Sequence, residues 1–121
     1  MTTPEKKVKD KVVKLLKKYD AYYFYPVSGG YGASGVPDIV ACMGGKFIGI
    51  ECKANGGKPT ALQTKNLNDI ALNGGYSVLV DETSIGSLEM MLIEIHQGRG
   101  TLMAGIVFDL LKGKKDEDSG S

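Results

Sequence analysis

Residues 35–53 read GVPDIVACMGGKFIGIECK, which is two apolar runs joined by Gly44-Gly45. A Gly-Gly pair between such runs predicts a β-hairpin, because both residues of the tight turn need a positive φ. With a two-residue turn, the strand pairing can be counted outward from the glycines. The count predicts three cross-strand pairs: Met43 with Lys46, Val40 with Gly49, and Asp38 with Glu51. Lys53 follows Glu51 by two residues, so it lies on the same face of the strand.

Asp38, Glu51 and Lys53 together suggest phosphodiester chemistry. Two opposed carboxylates lie roughly 5 Å apart at Cβ and repel each other. A divalent cation removes that repulsion, and Mg²⁺ is typically held by one or two carboxylates together with phosphate oxygens. A neighbouring lysine can orient a water molecule or stabilise charge on a phosphate. The alternative is an exposed hairpin end, since Pro-Asp is also common in turns.

The length of 121 residues and a hydrophobic content of 42% predict one globular domain. We place this domain at residues 1–111 and a disordered tail at residues 112–121, where lysines and acidic residues mix with Ser-Gly-Ser. The net charge is only +1, but seven lysines lie in the first eighteen residues. These lysines form either a solvated helix face or a surface that attracts phosphates.

Neither a membrane segment nor a metal-binding cysteine motif is expected. No apolar run reaches the roughly 18 residues that span a membrane, and no apolar stretch follows the lysine-rich N-terminus to make a signal peptide. We therefore expect a soluble, cytoplasmic protein. Cys42 and Cys52 form no CxxC pattern and are accompanied by a single histidine, which argues against zinc. Both cysteines are expected to be small buried hydrophobic residues.

The remaining pattern predicts an α/β protein. A helix over residues 4–19 is followed by a strand over 21–27 and a glycine-rich loop over 28–35. After the hairpin come a helix over 60–73 and a strand over 76–81, so that strand, helix and strand form a βαβ unit with a parallel pair. A third helix is predicted over 84–97. The first and third helices each carry an apolar stripe at helical spacing, which consists of Val8, Val12, Leu15, Leu16 and Tyr19 in the first and of Ile85, Leu88, Met91, Leu92 and Ile95 in the third. The apolar segment 101–111 fits either a strand or a short helix.

Two polar residues occupy inward positions near helix starts, and each has two interpretations. Glu5 lies on the apolar stripe of the first helix, but Thr2-x-x-Glu5 also has the spacing of a capping box. Gln63 points inward from the second helix, and Thr60-x-x-Gln63 again has capping-box spacing. On the residues alone, capping is the preferred interpretation for both.

The order Gly35-Val36-Pro37-Asp38, then Glu51-Cys52-Lys53, then Gln63 in the next helix resembles the PD-(D/E)XK nuclease superfamily. Within it, the pattern is most similar to the virus-type replication-repair nuclease (VRR-NUC) family, over roughly residues 4–82. The resemblance implies a restriction-endonuclease-like α/β core with a central mixed sheet flanked by helices. It also implies metal-dependent hydrolysis of DNA, often at flaps or at branched structures such as Holliday junctions.

Further expectations follow from this resemblance. Single-domain members look like viral or phage proteins, which implies a place in DNA repair or replication and the host cytoplasm as location. Members of this kind resemble Holliday junction resolvases that act as homodimers. We expect no accessory DNA-binding domain, so selectivity would come from self-association, the lysine-rich helix and the glycine-rich loop.

The resemblance also implies a role for each residue of the pattern. Asp38 and Glu51 would ligate Mg²⁺, with Mn²⁺ able to substitute, and the backbone carbonyl of Cys52 would add a third ligand. Lys53 would orient the attacking water and stabilise the transition state.

Glu5 would complete the acidic cluster, and Gln63 would position the lysine or the substrate. With the resemblance, these catalytic roles are preferred over capping for both residues.

Two other functions remain open at this point. One is a non-catalytic nucleic-acid-binding module that keeps the nuclease fold. The other is a nucleotide-binding protein that uses Gly30, Gly32 and Gly35, which match G-x-G-x-x-G. The dinucleotide fingerprint requires a helix directly after the glycines, whereas Val36-Pro37-Asp38 and a strand follow here, and this counts against nucleotide binding.

Overall fold

A computed structural model of the chain describes residues 2–27 and 34–98, which form a four-stranded mixed sheet with helices on both faces. In chain order the elements are α1 Pro4–Lys18, β1 Tyr22–Phe24, β2 Ile39–Met43, β3 Lys46–Cys52, α2 Ala61–Leu72, β4 Tyr76–Val80 and a helix α3 over 85–98. The strands lie in the order β1-β2-β3-β4. The β1–β2 and β2–β3 pairs are antiparallel and the β3–β4 pair is parallel, so the predicted central mixed sheet and βαβ unit are confirmed.

The hairpin formed by β2 and β3 has the predicted register. Gly44 and Gly45 both have positive φ, at 58° and 78°, as a tight two-residue turn requires. Met43 pairs with Lys46 and Val40 with Gly49, and the last pair of the ladder is Ile39 with Ile50. The turn therefore determines which residues reach the open end of the hairpin.

The main core lies on one face of the sheet, which we call the core face and which carries Ile39, Ile48 and Ile50. Helix α1 contributes Val8, Val12 and Leu16 to it, and α3 contributes Leu88, Leu92 and Ile95; all of these residues are buried. Complete burial of one such aliphatic side chain contributes about 1.5–3 kcal/mol. The predicted apolar stripes of the two helices are thus confirmed.

The opposite face of the sheet, which we call the site face, carries Gly49 and Glu51 and is covered by α2 only in part. A Cβ added at Gly49 would lie 2.5 Å from Ile70 Cδ1, so α2 approaches β3 closely at this point. No residue of α2 is fully buried. Farther along the same face Phe47 and Cys42 are exposed.

Several expectations need correction. The first strand is only three residues long, since Pro26 has no N–H to extend a ladder. Cys42 is exposed, and only Cys52 is buried as expected, because Cys42 lies on the site face beyond the cover of α2. None of the helices in residues 2–27 and 34–98 is long and apolar enough for a membrane crossing. The predictions for residues 28–33, 101–111 and 112–121 lie outside the described residues, and the single domain over 1–111 stays a prediction.

We expect Gly35→Ala to destabilise the protein by about 2 kcal/mol more than Gly56→Ala does. Both glycines have φ near +75°, where any Cβ is strained by about 1–2 kcal/mol. At Gly35 the added Cβ would also lie 2.9 Å from the backbone carbon of Leu62, whereas nothing lies within 4 Å at Gly56. Urea unfolding of the two variants measures the difference, and equal losses would contradict close packing of α2 on this turn.

Candidate active site

The open end of the hairpin brings Asp38 and Glu51 together. The β2–β3 register ends at Ile39 and Ile50, and one further residue places Asp38 opposite Glu51. Asp38 is held there by a hydrogen bond, because the backbone N–H of Cys52 donates to its Oδ2 at 2.8 Å. The Asp38 side chain thus takes the place of a backbone acceptor beyond the last pair of the ladder, and its carboxylate is held at the end of β3.

Glu51 is a buried carboxylate with incomplete pairing. Glu51 is only 2% exposed, and its Oε1 is fully buried without a hydrogen-bond partner. Its Oε2 lies 3.6 Å from Nζ of Lys53, which is itself mostly buried. Burial and, after it, the nearby charge of Asp38 raise the pKa of Glu51 to about 7, although Lys53 opposes the shift. At neutral pH the group is therefore only about half ionised, and above pH 7 it carries a charge that the protein alone only partly compensates.

These residues fit a hard divalent cation. The unpaired Oε1 of Glu51 is the kind of buried acceptor that a cation satisfies, and Asp38 supplies a second carboxylate beside it. Among the residues that the structure describes, no three His, Cys, Asp or Glu side chains are grouped closely enough to hold a metal. The protein would thus supply few ligands, which is the pattern of Mg²⁺ sites completed by water and substrate phosphate.

Glu5 does not join Asp38 and Glu51 in such a group. It is exposed, because it lies in the first turn of α1, one turn before the first buried residue, Val8. The predicted capping box is wrong: the N-cap is Thr3, whose hydroxyl accepts from the backbone N–H of Lys6. The charge of Glu5 is nevertheless close enough to the end of β3 to help raise the pKa of the Cys52 thiol.

The largest cause of that thiol's shift is burial, followed by the charge of Asp38, and together they raise the pKa of Cys52 to about 12. Cys52 is therefore a neutral core residue, as expected, and not a nucleophile. The charge of Lys9 lowers the pKa of the same thiol, so Lys9 is also near the site. Sequence reasoning did not single out Lys9, although its position four residues after Glu5 on α1 places both on one helix face.

Gln63 has a complete capping box with Thr60. Its Oε1 accepts from the backbone N–H of Thr60 at 2.9 Å, and the Thr60 hydroxyl accepts from the backbone N–H of Gln63 at 3.1 Å. The amide oxygen of Gln63 is thus engaged in starting α2, while its NH₂ group is a separate donor. Capping and substrate contact would therefore use different atoms of this side chain.

The comparisons with known proteins agree with this geometry. A phage protein with the name "Putative nuclease p44", from Acyrthosiphon pisum secondary endosymbiont phage 1, is 38% identical over 58 residues. The match covers 47% of this chain and 62% of the phage protein, so the chain spans less than two thirds of that relative. The family described as archaeal Holliday junction resolvase (Hjc) matches residues 11–73, which include Asp38, Glu51 and Lys53. The chain thus belongs to the archaeal Holliday junction resolvase family, and its resemblance to PD-(D/E)XK nucleases is confirmed at that level.

Proposed function

We propose that the protein is a metal-dependent DNA endonuclease that hydrolyses phosphodiester bonds in branched DNA, with Holliday junctions as the main substrate. The observation that carries the proposal is the buried, unpaired Oε1 of Glu51 beside Asp38 and Lys53, in a chain of the resolvase family. A stable fold gains nothing from such a buried charge, whereas a cation site requires it.

In this proposal Asp38, Glu51 and the backbone carbonyl of Cys52 hold Mg²⁺, with Mn²⁺ as a substitute. When bound, the ion polarises a phosphate oxygen and favours ionisation of a nearby water. The hydrogen bond from the Cys52 N–H keeps the Asp38 carboxylate turned toward β3. Burial of Glu51 excludes bulk water from one side of the site, which strengthens every charge interaction there.

Lys53 is the residue that we propose to act on the reacting groups. During hydrolysis the water loses one proton to solvent as its oxygen bonds to phosphorus, the bond from phosphorus to one deoxyribose oxygen breaks, and that oxygen takes up a proton from solvent. Lys53 Nζ, held at 3.6 Å from Glu51, is placed to orient the water and to stabilise the negative charge that develops on the phosphate.

For Gln63 we propose that the NH₂ group contacts the substrate while the oxygen caps α2. Gln63→Glu keeps an oxygen for the capping box but has no NH₂, whereas Gln63→Ala loses both. We expect Gln63→Glu to retain the wild-type Tm and to cleave about tenfold more slowly, and Gln63→Ala to lose about 1 kcal/mol of stability as well. If Gln63→Glu cleaves at the wild-type rate, the Gln63 side chain caps α2 and has no role in contacting the substrate.

The exposed stripe of Lys7, Lys11 and Lys14 on α1 is the proposed contact for DNA phosphates, since it has helical spacing along one face. We expect a variant with glutamine at all three positions to bind junction DNA with a weaker dependence on salt. The slope of log Kobs against the logarithm of the salt concentration should be about 2–3 less negative than for wild type. Lys65→Gln, which removes an exposed lysine on α2, is the control. An unchanged slope in the triple variant would identify the stripe as a solvated face.

We propose that Glu5 approaches the acidic pair when DNA is bound, and that two copies form a homodimer, since the junction presents two symmetry-related strands. Assignment to the VRR-NUC branch, a phage origin and activity in the host cytoplasm remain predictions from the sequence. Sedimentation of the protein alone and with junction DNA tests the homodimer, and a monomer in both cases would contradict it.

The proposed substrate is tested by cleavage of labelled four-way junction, flap and linear duplex DNA with Mg²⁺, with Mn²⁺ and with chelator. We expect cutting of branched DNA with either metal, little cutting of the duplex, and none with chelator. Binding to the junction without cutting under every condition would instead favour a non-catalytic module with the nuclease fold.

A further inference from the structure

Two aromatic side chains of β1 lie on the site face, and one of them, Phe24, is near the acidic pair. In the antiparallel β1–β2 register Phe24 pairs with Val40, and Tyr22 pairs with Cys42. Val40 follows Asp38 by two residues, so Phe24 and Asp38 project from the same face of the sheet. Phe24 is therefore a diagonal neighbour of Asp38, about 7–8 Å away between Cα atoms.

Both side chains are exposed to solvent. Phe24 is 48% exposed and Tyr22 is 69% exposed. Their ring centroids are 6.2 Å apart, with the planes tilted by 55°. The residue between them, Tyr23, packs instead against the core cluster. The strand thus uses one aromatic residue for folding and leaves two others on the face that carries the candidate site.

The surroundings of these rings favour a nucleic-acid base over a second protein copy. Cores of protein interfaces are depleted of charged residues. Here the aromatic surface borders the half-buried carboxylate of Asp38. An unpaired base next to a phosphate at that site offers a flat aromatic face to the protein, and base stacking on aromatic side chains is tolerant of sequence.

We propose that Phe24, supported by Tyr22, stacks on an unpaired base next to the cleaved phosphate and so determines specificity for branched DNA. This inference rests on the proposed function and extends it. In a continuous duplex every base is already stacked and paired, and extruding one costs a few kcal/mol. At a branch point the bases can be unpaired at lower cost, so the stacking energy is available for binding.

The test uses a flap substrate with 2-aminopurine at the unpaired position next to the cut. Its fluorescence is measured without Mg²⁺, so that no strand is cut, and single-turnover cleavage of flap and duplex is then measured with Mg²⁺. The variants are Phe24→Ala, Phe24→Leu, which keeps apolar volume without a ring, and Phe24→Tyr, which keeps the ring. The matched control is Phe47→Ala, since Phe47 is 47% exposed on the same face, and its position four residues before Glu51 puts it about 13 Å from that residue.

We expect wild type, Phe24→Tyr and Phe47→Ala to quench the fluorescence and to prefer the flap. Phe24→Ala and Phe24→Leu should lose the quenching, and their preference for flap over duplex should fall about tenfold. Wild-type behaviour of Phe24→Leu or Phe24→Ala would overturn the inference. Retained quenching together with loss of a dimer in Phe24→Ala would assign the surface to a second copy, which also overturns it. If wild type neither binds nor cuts branched DNA, the proposed function itself fails, and that result is distinct from the others.

Discussion

Glu51→Gln is expected to abolish metal-dependent cleavage, by at least about a thousandfold, and at the same time to stabilise the metal-free protein above pH 7. Glutamine has nearly the same shape but no charge, so it cannot replace a carboxylate as a ligand for a hard cation. It also removes a buried charge whose Oε1 has no hydrogen-bond partner in the described structure. A substitution that lowers activity but raises stability identifies a residue that is retained for function and not for folding.

The stability effect has a defined pH dependence. The pKa of Glu51 is raised from 4.5 to about 7 in the folded protein, so the unfolded chain releases this proton at lower pH than the folded chain does. The resulting destabilisation is absent below pH 4.5, grows up to pH 7 and is constant above it. Glu51→Gln should therefore gain about 3 kcal/mol, or roughly 10 °C in Tm, at pH 8 and almost nothing at pH 4.

Thermal unfolding in chelator at pH 4 and pH 8 measures this gain, with Glu94→Gln, an exposed carboxylate on α3, as the control. The control should match wild type at both values of pH and should cleave normally. A lower Tm for Glu51→Gln than for wild type at pH 8 would contradict the picture of an uncompensated buried charge.

The second large effect is expected at Lys53. Lys53→Met keeps most of the aliphatic stem but removes the ammonium group, and it should slow single-turnover cleavage about 100- to 1000-fold. Junction binding should change far less, since the exposed lysines of α1 are not altered. The same variant should be less stable than wild type at pH 8, because Lys53 is the cation that lowers the pKa of Glu51.

Lys58→Met is the matched control for Lys53→Met, since Lys58 is an exposed lysine five residues farther along the chain. It should cleave at the wild-type rate with an unchanged Tm. Equal rates for Lys53→Met and wild type would remove Lys53 from the chemistry and leave it as the ion-pair partner of Glu51. Thus Glu51→Gln and Lys53→Met should both cleave far more slowly than wild type but should shift Tm in opposite directions at pH 8.

The hairpin was the most predictable part of the structure. Two consecutive glycines restrict the turn so strongly that the register, and with it the opposition of Asp38 and Glu51, can be counted from the sequence. The stripes of α1 and α3 were equally clear, because a helix with one apolar face can bury it in only one way.

Features that depend on the spacing between elements were not predictable. The exposure of Cys42 depends on how far α2 extends over the site face. Glu5 was expected to point inward, but it is exposed, one turn before the first buried residue of α1. The hydrogen bond from the Cys52 N–H to Asp38 needs the bend before β2, which no periodicity encodes.

Single-turnover cleavage of a four-way junction by wild type and Asp38→Asn, with Mg²⁺ and with chelator, tests the metal site most directly. Asparagine can still accept the hydrogen bond from the Cys52 N–H through its side-chain oxygen, so the fold and the hairpin register should be kept. We predict Mg²⁺-dependent cutting by wild type and at least about a hundredfold slower cutting by a folded Asp38→Asn protein. Cutting by the variant at the wild-type rate, or wild-type cutting in chelator, would contradict a cation held between Asp38 and Glu51.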